Sequence, residues 1–221
     1  MSGTRHTAGE STAAPEFVPQ FSWVVLVASL GGMEAFSTVL SRLPSWFPVP
    51  VLVVQHRPQI AQPDPLAAVL SRRTHLPVRV AVDGVTAHQP GVTVVPGATA
   101  AAIDPSGLWR LRPTSKATGP GDVLLASAAY AGRTIAVILT DYQADGSRGC
   151  RSVKVGGGRV LVQDPSDARA SGMPASAIST GCVDFVLPLQ RIPAALLALT
   201  VAPGAAELFS VPIPPWARLT S

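Results

Sequence analysis

Three residue types needed for nucleophilic catalysis occur at the ends of apolar runs in this chain. Ser29 closes the run Val24-Val25-Leu26-Val27-Ala28, His56 follows Val51-Leu52-Val53-Val54-Gln55, and Asp141 and Asp145 follow Ile135-Ala136-Val137-Ile138-Leu139-Thr140. A serine hydroxyl is a weak nucleophile at neutral pH and needs a base within hydrogen-bond reach. An imidazole is such a base, and a carboxylate fixes its tautomer and stabilises the imidazolium. The order Ser29, His56, Asp145 therefore carries a possible acyl-transfer triad. Each member has a plainer reading. Ser29 and Asp145 each stand where a helix cap would, and His56 could be a hydrogen-bonded residue at a strand end. His6, His75 and His88 fall in a tail and in loops, where solvation accounts for them.

The elements that must position these residues follow from the hydrophobic pattern. Uninterrupted aliphatic runs such as Val24–Val27 suit strands of a parallel sheet, buried on both faces. Ser29-Leu30-Gly31-Gly32 then turns into a helical pattern, predicted over 33–43, and a Pro-bounded link leads to the strand at 51–55. That is a βαβ crossover of roughly 30 residues. Beyond it the pattern predicts a helix over 64–73, strands near 78–82 and 91–97, and a hairpin of 101–104 with 108–112. A loop over 114–121 precedes a helix capped by Asp122 and running to Ala131, and a strand over 134–140 follows. The remaining elements are helices 147–155, 172–180 and 192–201 and strands 159–163 and 185–187. Strand and helix alternate throughout, so the expected fold is α/β: a doubly wound, mostly parallel sheet flanked by helices, with an added antiparallel β-hairpin. In such sheets the carboxyl ends of the strands form the binding crevice, and Ser29, His56 and Asp145 all fall there.

Composition narrows the remaining classes. At 221 residues with 47% hydrophobic content, one domain with a full core is expected. No apolar run approaches the roughly 18 residues that span a bilayer. Residues 1–20 lack an apolar segment and read as a disordered leader rather than a secretory signal. The folded domain is expected over 21–201, with 202–221 a proline-rich tail that packs loosely or is disordered. The formal charge of +4 comes mostly from scattered arginines with few aromatics among them, so nucleic-acid binding gains no support. Cys150 and Cys182 lack metal-ligand spacing and read as buried thiols of a cytoplasmic protein. A dinucleotide site at Ser29-Leu30-Gly31-Gly32 lacks the G-x-G-x-x-G spacing, and the second strand ends in His56 rather than an acid.

An ordered set of motifs resembles the catalytic domain of CheB-type chemotaxis protein-glutamate methylesterases. Val27-Ala28-Ser29-Leu30-Gly31-Gly32 is similar to the family's Gly-Ala-Ser-Thr-Gly-Gly nucleophile turn, and Val54-Gln55-His56 to its Gln-His motif. Leu139-Thr140-Asp141-Tyr142-Gln143-Ala144-Asp145-Gly146 resembles Leu-Thr-Gly-Met-Gly-X-Asp-Gly. Val162-Gln163-Asp164 and Gly172-Met173-Pro174 match later signatures, so the resemblance runs from about Trp23 to Leu199. It implies hydrolysis of glutamate γ-methyl esters on chemoreceptor-type proteins to glutamate and methanol, with glutamine deamidation as a related activity. It also implies Ser29 as nucleophile, His56 as base and then acid, Asp145 as orienter, and the backbone N–H groups of Leu30 and Tyr142 as oxyanion donors. No cofactor or metal is implied. The implied partners are a methylated receptor and, because too few residues precede Ser29 for the family's receiver domain, a separate response-regulator chain. The protein is expected to be a monomer.

The chain departs from the family at Leu30, which replaces a threonine, and at Asp141-Tyr142-Gln143, which replace Gly-Met-Gly and place a charge beside the expected oxyanion. Ala100 replaces a histidine, and Arg57 stands where a methionine is common. A catalytically weakened binding or regulatory module on the same fold is therefore the alternative expectation.

Overall fold

The computed structural model describes residues 19–58, 63–114 and 119–218. The predicted leader lies almost wholly outside these residues, as do His6, half of the predicted 114–121 loop, and the last three residues of the tail. Strands β1 (Trp23–Ala28), β2 (Val51–Gln55), β3 (Val78–Val80), β4 (Val92–Val94), β7 (Thr134–Ile138), β8 (Arg159–Gln163) and β9 (Phe185–Leu187) form one sheet in the order β3-β4-β2-β1-β7-β8-β9. Every pairing in it is parallel. Strands β5 (Thr99–Ile103) and β6 (Trp109–Pro113) pair antiparallel as a separate two-stranded hairpin. The sequence expectation of a doubly wound sheet with an added hairpin is borne out.

Side-chain alternation along β1 divides the core. Val24, Leu26 and Ala28 face a layer with Phe36, Val39 and Leu40 of α1 (Gly32–Leu40), Leu66 and Leu70 of α2 (Pro65–Ser71), and Leu196 of α6 (Ile192–Val201). Trp23, Val25 and Val27 face Leu124, Leu125 and Ala128 of α3 (Pro120–Ala131), Val153 of α4 (Ser147–Val155) and Met173 of α5 (Gly172–Ser179). The hairpin joins this second layer through Ala101, Ile103 and Trp109. All six residues of β1 are buried, which explains why the run shows no polar alternation. Residues beyond Ala202 add α7 (Ala205–Leu208), whose Ala205 and Ala206 are buried, and a 3-10 turn at Pro215–Arg218. Arg159 donates to the Ala206 carbonyl, and the Val211 N–H donates to Asp184 at 2.9 Å, tying this segment to the sheet. Among the described residues no helix is long and apolar enough to cross a membrane.

Chain order reverses at β1. Strands β2, β4 and β3 lie to one side of it, and β7, β8 and β9 to the other. The carboxyl ends of the central strands β2, β1 and β7 thus flank the switch point where open α/β sheets place their ligands.

Candidate active site

Ser29 leaves β1 directly into the turn that starts α1. Gly31 sits at that helix's N-cap with φ 78°, a left-handed value glycine adopts without strain. The turn is fixed from three sides. The Ser29 N–H donates to the Thr140 carbonyl (3.1 Å), while the Ser29 carbonyl accepts from the Gln55 amide (2.9 Å) and from the Gly32 N–H (2.9 Å). The Thr140 hydroxyl lies 3.0 Å from the Leu30 carbonyl and accepts the Ala170 N–H at 2.9 Å. These contacts hold the Leu30 peptide with its N–H unclaimed by any acceptor among the described residues. A polarised donor beside a serine, at the start of a helix, is what a developing oxyanion requires.

His56 follows β2, and its N–H donates to the Ala28 carbonyl at 3.2 Å, so the two turns are stitched together. The Ser29 hydroxyl donates to the main-chain carbonyl of His56 at 3.1 Å. No hydrogen bond joins the His56 imidazole to Ser29 Oγ or to Asp145. Catalytic hydrogen bonds commonly tighten only once substrate is bound, and the Oγ–carbonyl bond is the one that would be exchanged. The segment after His56 is anchored by Arg57. Its guanidinium pairs with Asp64 at 2.5 Å and reaches the Val95 carbonyl at 3.2 Å. Asp64 in turn caps α2 by accepting the N–H groups of Leu66 and Ala67.

Asp145 occupies a different setting from the one its position suggests. It does not cap the helix that follows it. Its Oδ2 accepts the Gly121 N–H at 2.8 Å and its Oδ1 the Asp122 N–H at 3.0 Å, so it holds the first turn of α3. A Cβ at Gly119 would collide with Oδ1, and one at Gly121 would stand 2.9 Å from Oδ2, so both glycines make room for this carboxylate. Asp122 does not cap its own helix as the sequence suggests. Gly119 is the N-cap of α3, and Asp122 Oδ1 accepts the Gly149 N–H of α4 at 2.8 Å. The two aspartates thus exchange helices. Burial, and after it the charge of Asp145, raise the Asp122 carboxyl above its ordinary range, against the Gly149 hydrogen bond. Each carboxylate oxygen of Asp145 keeps a second lone pair, so its two N–H bonds leave capacity for an imidazole.

The 141–143 loop carries the largest change at the site. Asp141 is 3% exposed, and its Oδ1 accepts the N–H of Tyr142 at 2.7 Å. That N–H is one of the two expected oxyanion donors. Asp141 Oδ2 is buried with no hydrogen-bond partner among the described residues. The backbone is pinned here as well: the Asp141 N–H donates to the Ala170 carbonyl at 3.1 Å and its carbonyl accepts the Met173 N–H at 2.8 Å. Tyr142 itself is 72% exposed beside the crevice.

Sequence reasoning missed Thr140, Gln55 and the Arg57–Asp64 pair as supports of the site. A polar residue at the end of each buried run was the available signal for Thr140 and Gln55. The partners, Leu30, Ala170 and Ser29, come from other elements. Cys150 and Cys182 are both buried and free, and burial pushes the Cys150 thiol far up, which makes it a poor nucleophile. Among the described residues no cluster of three or more His, Cys, Asp or Glu is placed to hold a metal ion.

Comparison with known proteins bears on this edge. Residues 24–196 match the family model described as CheB methylesterase. The chain is 37% identical over 183 residues to protein-glutamate methylesterase/protein-glutamine glutaminase 3 of Myxococcus xanthus, covering 80% of this chain and 51% of that protein. It is 34% identical over 184 residues to the protein-glutamate methylesterase/protein-glutamine glutaminase of Thermotoga maritima, covering 80% and 53%. The crystal structure of the Thermotoga maritima CheB methylesterase catalytic domain superposes with a TM-score of 0.75 at 34% identity, covering 81% of this chain and 98% of that one. The chain therefore spans about half the length of the curated relatives it matches, and nearly all of a catalytic domain.

Proposed function

Because this chain belongs to the CheB methylesterase family, we propose that it is a serine hydrolase that cleaves glutamate γ-methyl esters on a chemoreceptor-type protein. The observation that carries the reading is the placement of Ser29, His56 and Asp145 after the three adjacent central strands β1, β2 and β7. Ser29 Oγ attacks the ester carbonyl as His56 takes its proton, and the tetrahedral oxyanion forms against the Leu30 N–H. Collapse expels methanol, protonated by His56. Water, deprotonated by the same imidazole, then releases glutamate and regenerates Ser29. Asp145, already fixed by two N–H groups of α3, orients the imidazole. Attack on a glutamine side chain by the same route would release ammonia, the chemistry named for the relatives. A methylated receptor on the cytoplasmic side of a membrane is the partner of this reading.

The experiment is methanol release from a methylated receptor segment by the chain and by Ser29→Ala. Activity that disappears in the variant supports the triad, and equal activity in both sinks it.

A second reading, a binding or regulatory module with weakened catalysis, is favoured by one contact, the Asp141 carboxylate on the Tyr142 N–H. Receptor binding without turnover of any ester would select it.

A further inference from the structure

We propose that Arg169 and Arg73 form an anion-recognition wall beside Ser29, which selects a substrate segment carrying carboxylates near the esterified glutamate. The inference deepens the esterase reading and takes its substrate from it. The Arg169 side chain lies across the nucleophile turn: a Cβ built on Gly31 would stand 3.0 Å from its Cδ and 3.1 Å from its Cβ. Its side chain is exposed, and among the described residues it makes no hydrogen bond or ion pair. The same holds for the side chain of Arg73, just past the end of α2.

Both arginines line one cleft of about 490 Å³, together with Gly31, Met33, Glu34 and Gln55. A second cleft of about 530 Å³ borders Arg169 and Gly31 on the side of Asp167 and Gln190. Arg169 therefore stands on the ridge between two openings, against the turn that presents Ser29. The acidic groups facing these clefts are Glu34 and Asp167. Asp167 is engaged, because its Oδ2 accepts the Leu189 N–H at 2.6 Å. Glu34 lies in the first turn of α1, where the helix end favours a negative charge, and no ion pair joins it to either arginine. The first cleft thus presents two guanidinium groups against one carboxylate. Guanidinium is weakly hydrated and matches a carboxylate with paired N–H donors, so an anionic side chain is the complementary ligand.

Beside these polar groups the first cleft is lined by Met33 and Val69, and apolar side chains are also exposed at Leu30 of the nucleophile turn and at Tyr142. Leu30 and Met33 are each 41% exposed and Tyr142 is 72% exposed. Apolar contacts on one side and cations on the other fit an amphipathic acidic peptide, not a uniformly charged polymer.

The test uses the full chain carrying Ser29→Ala and two labelled peptides, each with one γ-methyl glutamate. One has glutamates flanking the ester and the other has glutamines there. Fluorescence anisotropy at about 0.1 M salt should give about tenfold tighter binding of the acidic peptide, as two exposed charge pairs of ordinary strength supply. Adding Arg73→Gln and Arg169→Gln together should bring that preference below about twofold, with the melting temperature measured to verify folding. Equal affinity for the two peptides in the parent overturns the inference, as does an undiminished preference in a folded double variant. Methanol release by the chain with Ser29 intact separates the two claims. Turnover without charge preference rejects the wall and keeps the esterase. Charge preference without turnover keeps the wall and rejects the esterase.

Discussion

The carboxylate of Asp141 accepts the backbone N–H of its own neighbour Tyr142 at 2.7 Å, and so occupies the second donor proposed for an oxyanion. The second carboxylate oxygen is buried without a partner among the described residues, which is costly for a charged group. Asp141→Gly frees the N–H and removes the charge, while the backbone bonds to Ala170 and Met173 remain available. Added glycine flexibility costs about 0.5–1 kcal/mol of stability. Esterase kcat/KM is expected to rise by at least about tenfold, because one oxyanion donor is worth on the order of 10²–10³ in rate. Steady-state kinetics on a methyl-ester peptide checks this, and an unchanged or lower rate rejects it.

In the proposed mechanism Asp145 has a second task besides holding α3, and the two separate by substitution. Asp145→Ala removes the acceptor for both the Gly121 and Asp122 N–H groups, which should cost about 1–3 kcal/mol of stability. Asp145→Asn keeps one acceptor oxygen and should lose less. Both variants should lose most esterase turnover, since neither offers a carboxylate to the imidazole. Urea unfolding alongside kinetics reads the two effects. If the Asn variant keeps full turnover, Asp145 serves the helix alone.

Asp122 gives a pH signature. Burial, with the Asp145 charge, raises its carboxyl from the ordinary value of 3.8. A carboxyl with a raised folded-state pKa binds its proton more tightly in the folded chain. Its ionisation therefore opposes folding above that raised value, and the penalty disappears as pH falls through it to the ordinary aspartate range. Asp122→Asn keeps an acceptor for the Gly149 N–H and removes the charge. Near pH 7 the variant should be at least as stable as the parent, with an advantage that shrinks on acidification toward pH 4. Denaturant unfolding at several pH values tests this. An advantage that grows as pH falls contradicts it.

The elements were legible where burial alone decides. The uninterrupted runs of β1 and β8 fall where the pattern puts them and β7 stops two residues short of its predicted end, because each strand is buried along its whole length, and the helix at 147–155 matches through its one buried face. Asp122 shows where local rules stop. A cap rule sees one helix at a time, whereas α3 and α4 pack side by side and exchange aspartates across 20-odd residues of sequence. The Asp141–Tyr142 contact was half legible: the sequence shows a charge near the expected oxyanion, but only a backbone conformation can turn that charge onto the neighbouring N–H. The unpartnered arginines beside Gly31 were not legible, since Arg73 and Arg169 meet only through the fold.

Thr140 links the two halves of the crevice, and its hydroxyl can be removed with little change of shape. Oγ1 accepts the Ala170 N–H at 2.9 Å and lies 3.0 Å from the Leu30 carbonyl, in a residue only 2% exposed. Thr140→Val replaces that hydroxyl by a methyl group and leaves a buried N–H unpaired, which should cost about 1–3 kcal/mol. It also loosens the hold on Leu30, whose N–H is the proposed oxyanion donor. Turnover should therefore fall beyond what stability explains, with kcat reduced more than KM is raised, because the donor matters most in the transition state. Thr140→Ser restores the hydroxyl and should recover most of the rate, even though its missing methyl leaves the packing looser. If serine and valine variants show the same turnover, the hydroxyl has no hold on Leu30, and Thr140 matters only for packing.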